Sequence, residues 1–151
     1  MIRSLPVSSI MGDPSFPDLV AEYAAESAIA GLPPPNARMQ TYLHLEALGM
    51  LHAFGAIHGN TLVGFISLLA PILPHYGITI AVCESFFVAA DYRHTGAGLR
   101  LLKAAEEKTK ELGSPGLFVS APYKGKLFEV LPRRGYTETS RIYFKQVAYD
   151  S

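Results

Sequence analysis

Between residues 50 and 88 the chain carries three long apolar, β-favouring runs in close succession, at 50–57, 62–69 and 78–88. This spacing limits the fold more than any other feature. Runs so rich in Ile, Leu, Val and Phe belong in an interior. Only His58, Gly59, Asn60 and Thr61 separate the first two. Gly59 or Asn60 takes a positive φ at low cost, so a β-hairpin is predicted there. A loop over 71–76 leads to the third run, and together they predict a central sheet. With 49% apolar and 17% charged residues in 151, the chain can bury a core of one domain, expected to span 1–151. The same figures argue against intrinsic disorder.

Helical patterns flank this centre. Phe16, Leu19, Val20, Tyr23, Ala24 and Ser27 recur near a 3.6-residue period, predicting a helix over 16–30, with Gly31 ending it and Pro33, Pro34 and Pro35 forbidding continuation. A second helix is expected over 39–48, stopped by Gly49. The strongest helix runs over 99–112. Leu101, Leu102, Ala105, Thr109 and Leu112 mark one face, and Lys103, Glu106, Glu107, Lys110 and Glu111 lie largely opposite. Shorter elements are expected as a strand over 2–8 with Pro6 confining it to an edge, a turn at 12–14, a strand over 116–121, a brief helix over 126–131 stopped by Pro132, and a last strand over 136–147. The order predicts an α/β (or α+β) domain.

The chemistry-bearing stretch lies between the third run and the strongest helix: Arg93, His94, Thr95, Gly96, Ala97 and Gly98. Two glycines let the backbone bend and approach a ligand without a Cβ. The following helix offers N–H groups with no intrahelical partner at its positive end. Arg93 adds a planar donor fork suited to phosphate. Neither G-x-G-x-x-G nor G-x-x-x-x-G-K-[ST] is present, so a pyrophosphate-bearing ligand held by a different loop is the reading.

Residues 88–102 resemble the acyl-CoA-binding motif of the GNAT superfamily of N-acyltransferases, whose pattern Arg/Gln-x-x-Gly-x-Gly/Ala is met by Arg93, Gly96 and Gly98. The late Arg134, Gly135 and Tyr136 are similar to that family's Gly-Phe/Tyr before a C-terminal strand. The resemblance implies a mixed, mostly antiparallel central sheet with two parallel strands splayed apart, flanked by helices. It implies acetyl-CoA as acyl donor, its pantetheine arm bonded by backbone groups of Phe87 and Val88, and its pyrophosphate held by the amides of Arg93, His94, Thr95, Gly96, Ala97 and Gly98. The expected reaction is transfer of an acetyl group to a primary amine by direct attack in a ternary complex. The acceptor is a small-molecule or peptide amine. The alternative is a CoA-binding regulatory or interaction module with little turnover.

The pattern has gaps. Many family members carry a Tyr four residues before the late glycine, as general acid for the departing thiolate; here that position is Leu131, and an Asn position is filled by Lys124. Tyr123 is the nearest alternative donor by sequence. Glu84, in the strand leading to the motif, is the candidate base. If it shares a face with apolar Phe86 and Val88, burial would raise its pKa usefully. His75 and Tyr76, in the loop before that strand, are candidates for lining the acceptor site.

Lys+Arg and Asp+Glu balance at 13 each, which argues against a nucleic-acid partner. The most apolar tract, 62–72, is shorter than the roughly 18 residues that suggest a membrane span. No secretory signal is visible, so a cytoplasmic location is expected. The single cysteine, Cys83, reads as core, and the histidines show no metal-ligand spacing. The apolar fraction would also suit a homodimer surface.

Overall fold

The computed structural model describes residues 1–122 and 125–148. Five strands form the main sheet in the order β1 (Ile2–Ser4), β2 (Leu51–His58), β3 (Thr61–Leu69), β6 (Ala81–Val88), β7 (Leu117–Phe118). All neighbours are antiparallel except β6 and β7. The sheet is thus mixed and mostly antiparallel, with helices on both faces, as the resemblance implied. The predicted hairpin joins β2 to β3 with His58 opposite Thr61 and Gly59 at φ 62°.

On one face lies α4 (Ala97–Glu111), burying Ala97, Leu101, Leu102, Ala105 and Thr109 against Ile66, Leu68 and Val88. This is the amphipathic stripe legible in the sequence. The other face carries α1 (Val7–Met11) and α2 (Phe16–Ser27), where Ile10 and Leu19 meet Ala53, Leu62, Phe65 and Phe87. Helix α3 (Met39–Ala47) buries no residue and borders this side through Tyr42.

Four expectations are corrected. The first strand ends at Ser4, and Pro6 caps α1 instead of lying in a strand: its carbonyl accepts from Ser9 N at 2.9 Å, and its fixed φ of −57° suits a helix entry. The third apolar run is divided. Ile78–Thr79 forms β5, paired with β4 (Ile72–Leu73) in a separate small hairpin, and β6 begins only at Ala81. Helix α5 (Lys126–Arg133) continues one residue past Pro132, which lies in its final turn. The last strand expected over 136–147 is not formed. Ile142, Tyr143 and Val147 stand 86%, 87% and 83% exposed. Strand propensity needs a ladder partner, and β7 is only two residues long.

Candidate active site

Two features of β6 build the site. The first is a bulge. Ser67 pairs with Ser85 but the next residue, Leu68, pairs with Cys83, leaving Glu84 without a partner. The extra residue shifts the alternation, so Cys83 and Phe86 both face α4 although three positions apart. Glu84 and Ser85 both turn to the α1/α2 side. Glu84 therefore does not share the face of Phe86 and Val88, and it is exposed, which corrects the expected burial.

The second feature is an open edge. Strands β6 and β7 pair only at Ala81–Leu117 and Val82–Phe118, then part. Ala89 N donates across to Val63 O, so by alternation Phe87 directs its backbone groups toward β3, while Phe86 and Val88 direct theirs to the parted edge. Two contacts agree with this: Phe86 N donates to Tyr23 Oη at 3.4 Å, and Arg93 Nε donates to Val88 O at 2.9 Å. The backbone groups that face the slot are thus those of Phe86 and Val88, whereas Phe87, expected to act together with Val88, turns its own to β3.

The slot leads to the loop. Ala90–Thr95 makes a 3-10 turn, Gly96 at φ 80° reverses the chain, and α4 starts at Ala97. Its first turn holds no acidic residue and no side-chain cap. Ala97 N reaches Thr95 Oγ1 at 3.3 Å, and that hydroxyl donates to Tyr92 O at 2.6 Å. Gly98 has no positive φ, and a Cβ there would meet only Val88 Cγ2 at 3.8 Å and Phe86 Cζ at 4.0 Å, ordinary contacts. The protein's own packing does not require this glycine. His94 is exposed beside the loop. The side chain of Arg93 departs from expectation. Its Nη2 pairs with Glu26 at 2.6 Å and its guanidinium lies 5.3 Å from the Phe87 ring centre, so its fork is turned to α2 and not to the loop amides.

Arg100 was missed in the sequence. Its Nη1 donates to Thr95 O at 3.2 Å, folding the guanidinium back over Gly96. A signal was present, because a cation in the first turn opposes the helix dipole unless an anion sits there. Pyrophosphate fits this donor set: free amides at a helix start, a bare glycine and an adjacent guanidinium.

On the α1/α2 side a cleft of ≈ 250 Å³ opens over β3 and β6. Its walls are mostly apolar, and its floor holds Glu84, Ser67 and Ser85. Tyr42 Oη donates to Glu84 Oε1 and Ser67 Oγ to Glu84 Oε2, both at 2.7 Å. Ser67 has one proton to give, so in its 2.8 Å contact with Ser85 it is the acceptor. Burial, and next the Glu84 contact, raise the Tyr42 pKa and keep its phenol protonated. Tyr23 borders both cleft and slot, stacked on Phe87 at 5.0 Å. Burial raises its pKa, and no acceptor of its proton occurs among the described residues. Neither Tyr23, Tyr42 nor Ser67 stood out in the sequence, because each lies far along the chain from Glu84.

Other candidates fall elsewhere. His75 and Tyr76 sit exposed at the β4–β5 tip, their rings 5.1 Å apart, and do not line the cleft. Tyr123 and Lys124 lie outside the described residues. Leu131 is 8% exposed core. Tyr136 donates to Glu106 Oε2 at 2.6 Å. Cys83 packs beside α4, its thiol pushed up to about 12 by burial. Among the described residues, no group of three or more His, Cys, Asp or Glu could hold a metal ion, and no helix is long and apolar enough to cross a membrane.

A mixed sheet with a parted parallel pair and a glycine loop entering a helix are the features that the sequence resemblance implied. The profile of the "Acetyltransferase (GNAT) family" matches residues 17–125, so the chain belongs to that family. Among solved structures, a ribosomal-protein-alanine N-acetyltransferase from Brucella melitensis biovar Abortus 2308 superposes with a TM-score of 0.70 at 20% identity, covering 96% of each chain. An aminoglycoside N-acetyltransferase, AAC(6')-Iy, in complex with CoA gives 0.72 at 15%, covering 99% of this chain and 100% of that one. A Trypanosoma brucei acetyltransferase gives 0.70 at 16%, covering 96% and 97%. At these identities the likeness shows the fold alone. No curated protein matches the sequence at a significant level.

Proposed function

We propose that the chain moves an acetyl group from acetyl-CoA to a primary amine by direct attack in a ternary complex. One observation carries this reading. The bulge sets a carboxylate on the cleft floor two residues before the backbone groups that face the slot. Donor and acceptor sites thus meet at one short stretch of β6.

The loop amides, Gly98 and Arg100 would hold the pyrophosphate, and Phe86 and Val88 the pantetheine arm. Bound there, acetyl-CoA supplies an activated thioester. Glu84 accepts the proton that an ammonium must lose before it can attack. Tyr42 and Ser67 fix the carboxylate's orientation. Tyr23 holds a proton at the edge where a thiolate would leave, a role that Leu131 cannot take. Alignment of the two reactants supplies the larger share of the acceleration.

The test is calorimetry with CoA alongside thiol release from acetyl-CoA in the presence of amines. Glu84→Gln should bind CoA as the parent does and lose about 100-fold in kcat at neutral pH. CoA binding with no thiol release against any amine would favour the alternative, a CoA-binding module. Millimolar or weaker CoA binding would overturn both readings.

A further inference from the structure

We infer that the acceptor is a small monoamine with one cationic end and an apolar body. This rests on the transferase reading above and narrows it. Among the described residues lining the cleft, Glu84 is the only charged side chain. The neighbouring carboxylates Asp13, Asp18, Glu22, Glu26 and Glu46 do not line the cleft. Glu22 accepts from Ala90 N at 2.8 Å, Glu26 pairs with Arg93, and Glu46 accepts from Val7 N at 2.8 Å. The described lining of the cleft therefore offers an acceptor one charge.

Glu84 has capacity for it. A carboxylate offers about four lone-pair sites, and its two protein hydroxyl donors leave the others open to an ammonium. Facing this floor are Ile10, Phe16, Val20 and Phe65, which suit an aliphatic or aromatic body. A polyamine would press its remaining charges against these walls without a counter-charge, and an unpaired charge is costly to desolvate. An extended peptide fares no better. The walls given by α1 and α2 spend their backbone donors and acceptors internally, which leaves only the short stretch at Pro35 and Ala37 to bond a peptide backbone. The volume, ≈ 250 Å³, sits below the roughly 300–1,000 Å³ of ordinary ligand pockets, which also favours a small acceptor.

The test uses the full chain with three probes: phenethylamine, the polycation kanamycin and a peptide with an N-terminal alanine. Each is titrated by calorimetry into the CoA-bound protein and assayed for thiol release with acetyl-CoA. The monoamine should bind at least about tenfold tighter than either rival, with kcat/KM higher by about the same factor or more. Glu84→Gln should remove that binding advantage. Val20→Asp, a second charge on a half-exposed helix position, should move preference toward the polycation. Preference for the polycation or the peptide, or no binding of the monoamine, overturns the inference. Glu84-dependent binding of the monoamine without thiol release keeps the acceptor class and refutes the transferase reading.

Discussion

Replacing Gly98 by alanine should make the protein more stable and a poorer binder of CoA. The position lies in the first turn of α4 with no positive φ, and the new methyl would touch Val88 Cγ2 at 3.8 Å and Phe86 Cζ at 4.0 Å. No strain opposes it. Exchanging glycine for alanine in a helix contributes about 0.5–1 kcal/mol. For a chain of this size that corresponds to a rise in Tm of roughly 1–4 °C. The same residue lies in the helix turn whose amides would meet pyrophosphate, so an added methyl would crowd that approach. A loss of at least about tenfold in CoA affinity is expected, equal to about 1.4 kcal/mol. Calorimetric unfolding and CoA titration read the two quantities separately. Gly96→Ala is the control with the opposite stability sign. Its φ of 80° is left-handed, which costs a side chain about 1–2 kcal/mol, so it should lower Tm while also weakening binding. If Gly98→Ala binds CoA like the parent, or melts lower, the glycine serves packing and the cradle argument is wrong.

Two further outcomes follow from the sheet and its core. Gly64→Ala would place a Cβ 2.8 Å from Phe87 O and 3.0 Å from Val88 Cγ2, which forces β3 from β6; a loss of about 1–3 kcal/mol in a urea titration is expected. Cys83 should resist thiol reagents in the folded protein at pH 8 and react on unfolding. Its raised pKa means that the unfolded chain releases the proton first, so this contribution is complete below about pH 8.5 and is lost as pH climbs to about 12. Tyr23, Tyr42 and Tyr136 are shifted the same way, which steepens the alkaline loss. Cys83→Ala should flatten the low-pH part of that decline, as followed by Tm against pH; an unchanged profile would contradict the burial argument.

The parts of this molecule legible in the sequence are those decided locally. A four-residue turn signal between apolar runs was enough for β2 and β3, and the 3.6-residue stripe from Leu101 to Thr109 was enough for α4. The parts that were not legible depend on partners far along the chain. The bulge at Glu84 changes no residue type, so simple alternation put the carboxylate on the wrong face. Arg93 has a composition suited to phosphate, yet its partner Glu26 lies 67 residues upstream. Residues 136–147 have the β-favouring character of a strand and no continuous edge to join. Tyr42, Ser67 and Glu84 converge only after α3, β3 and β6 are in place.

The unpaired residue in β6 also has a bearing on folding fidelity. An uninterrupted antiparallel pair can slide by two residues and still bury the same faces. Here the halves on either side of Glu84 are out of phase with one another. Any slide that satisfies Phe86 and Val88 against β3 must carry the irregularity past Ser67, where it no longer matches. The strand has one alignment that seats both halves. A deletion near Glu84 would thus do more than remove a carboxylate: it would permit a regular ladder in several offsets and dissolve the uniqueness of the sheet.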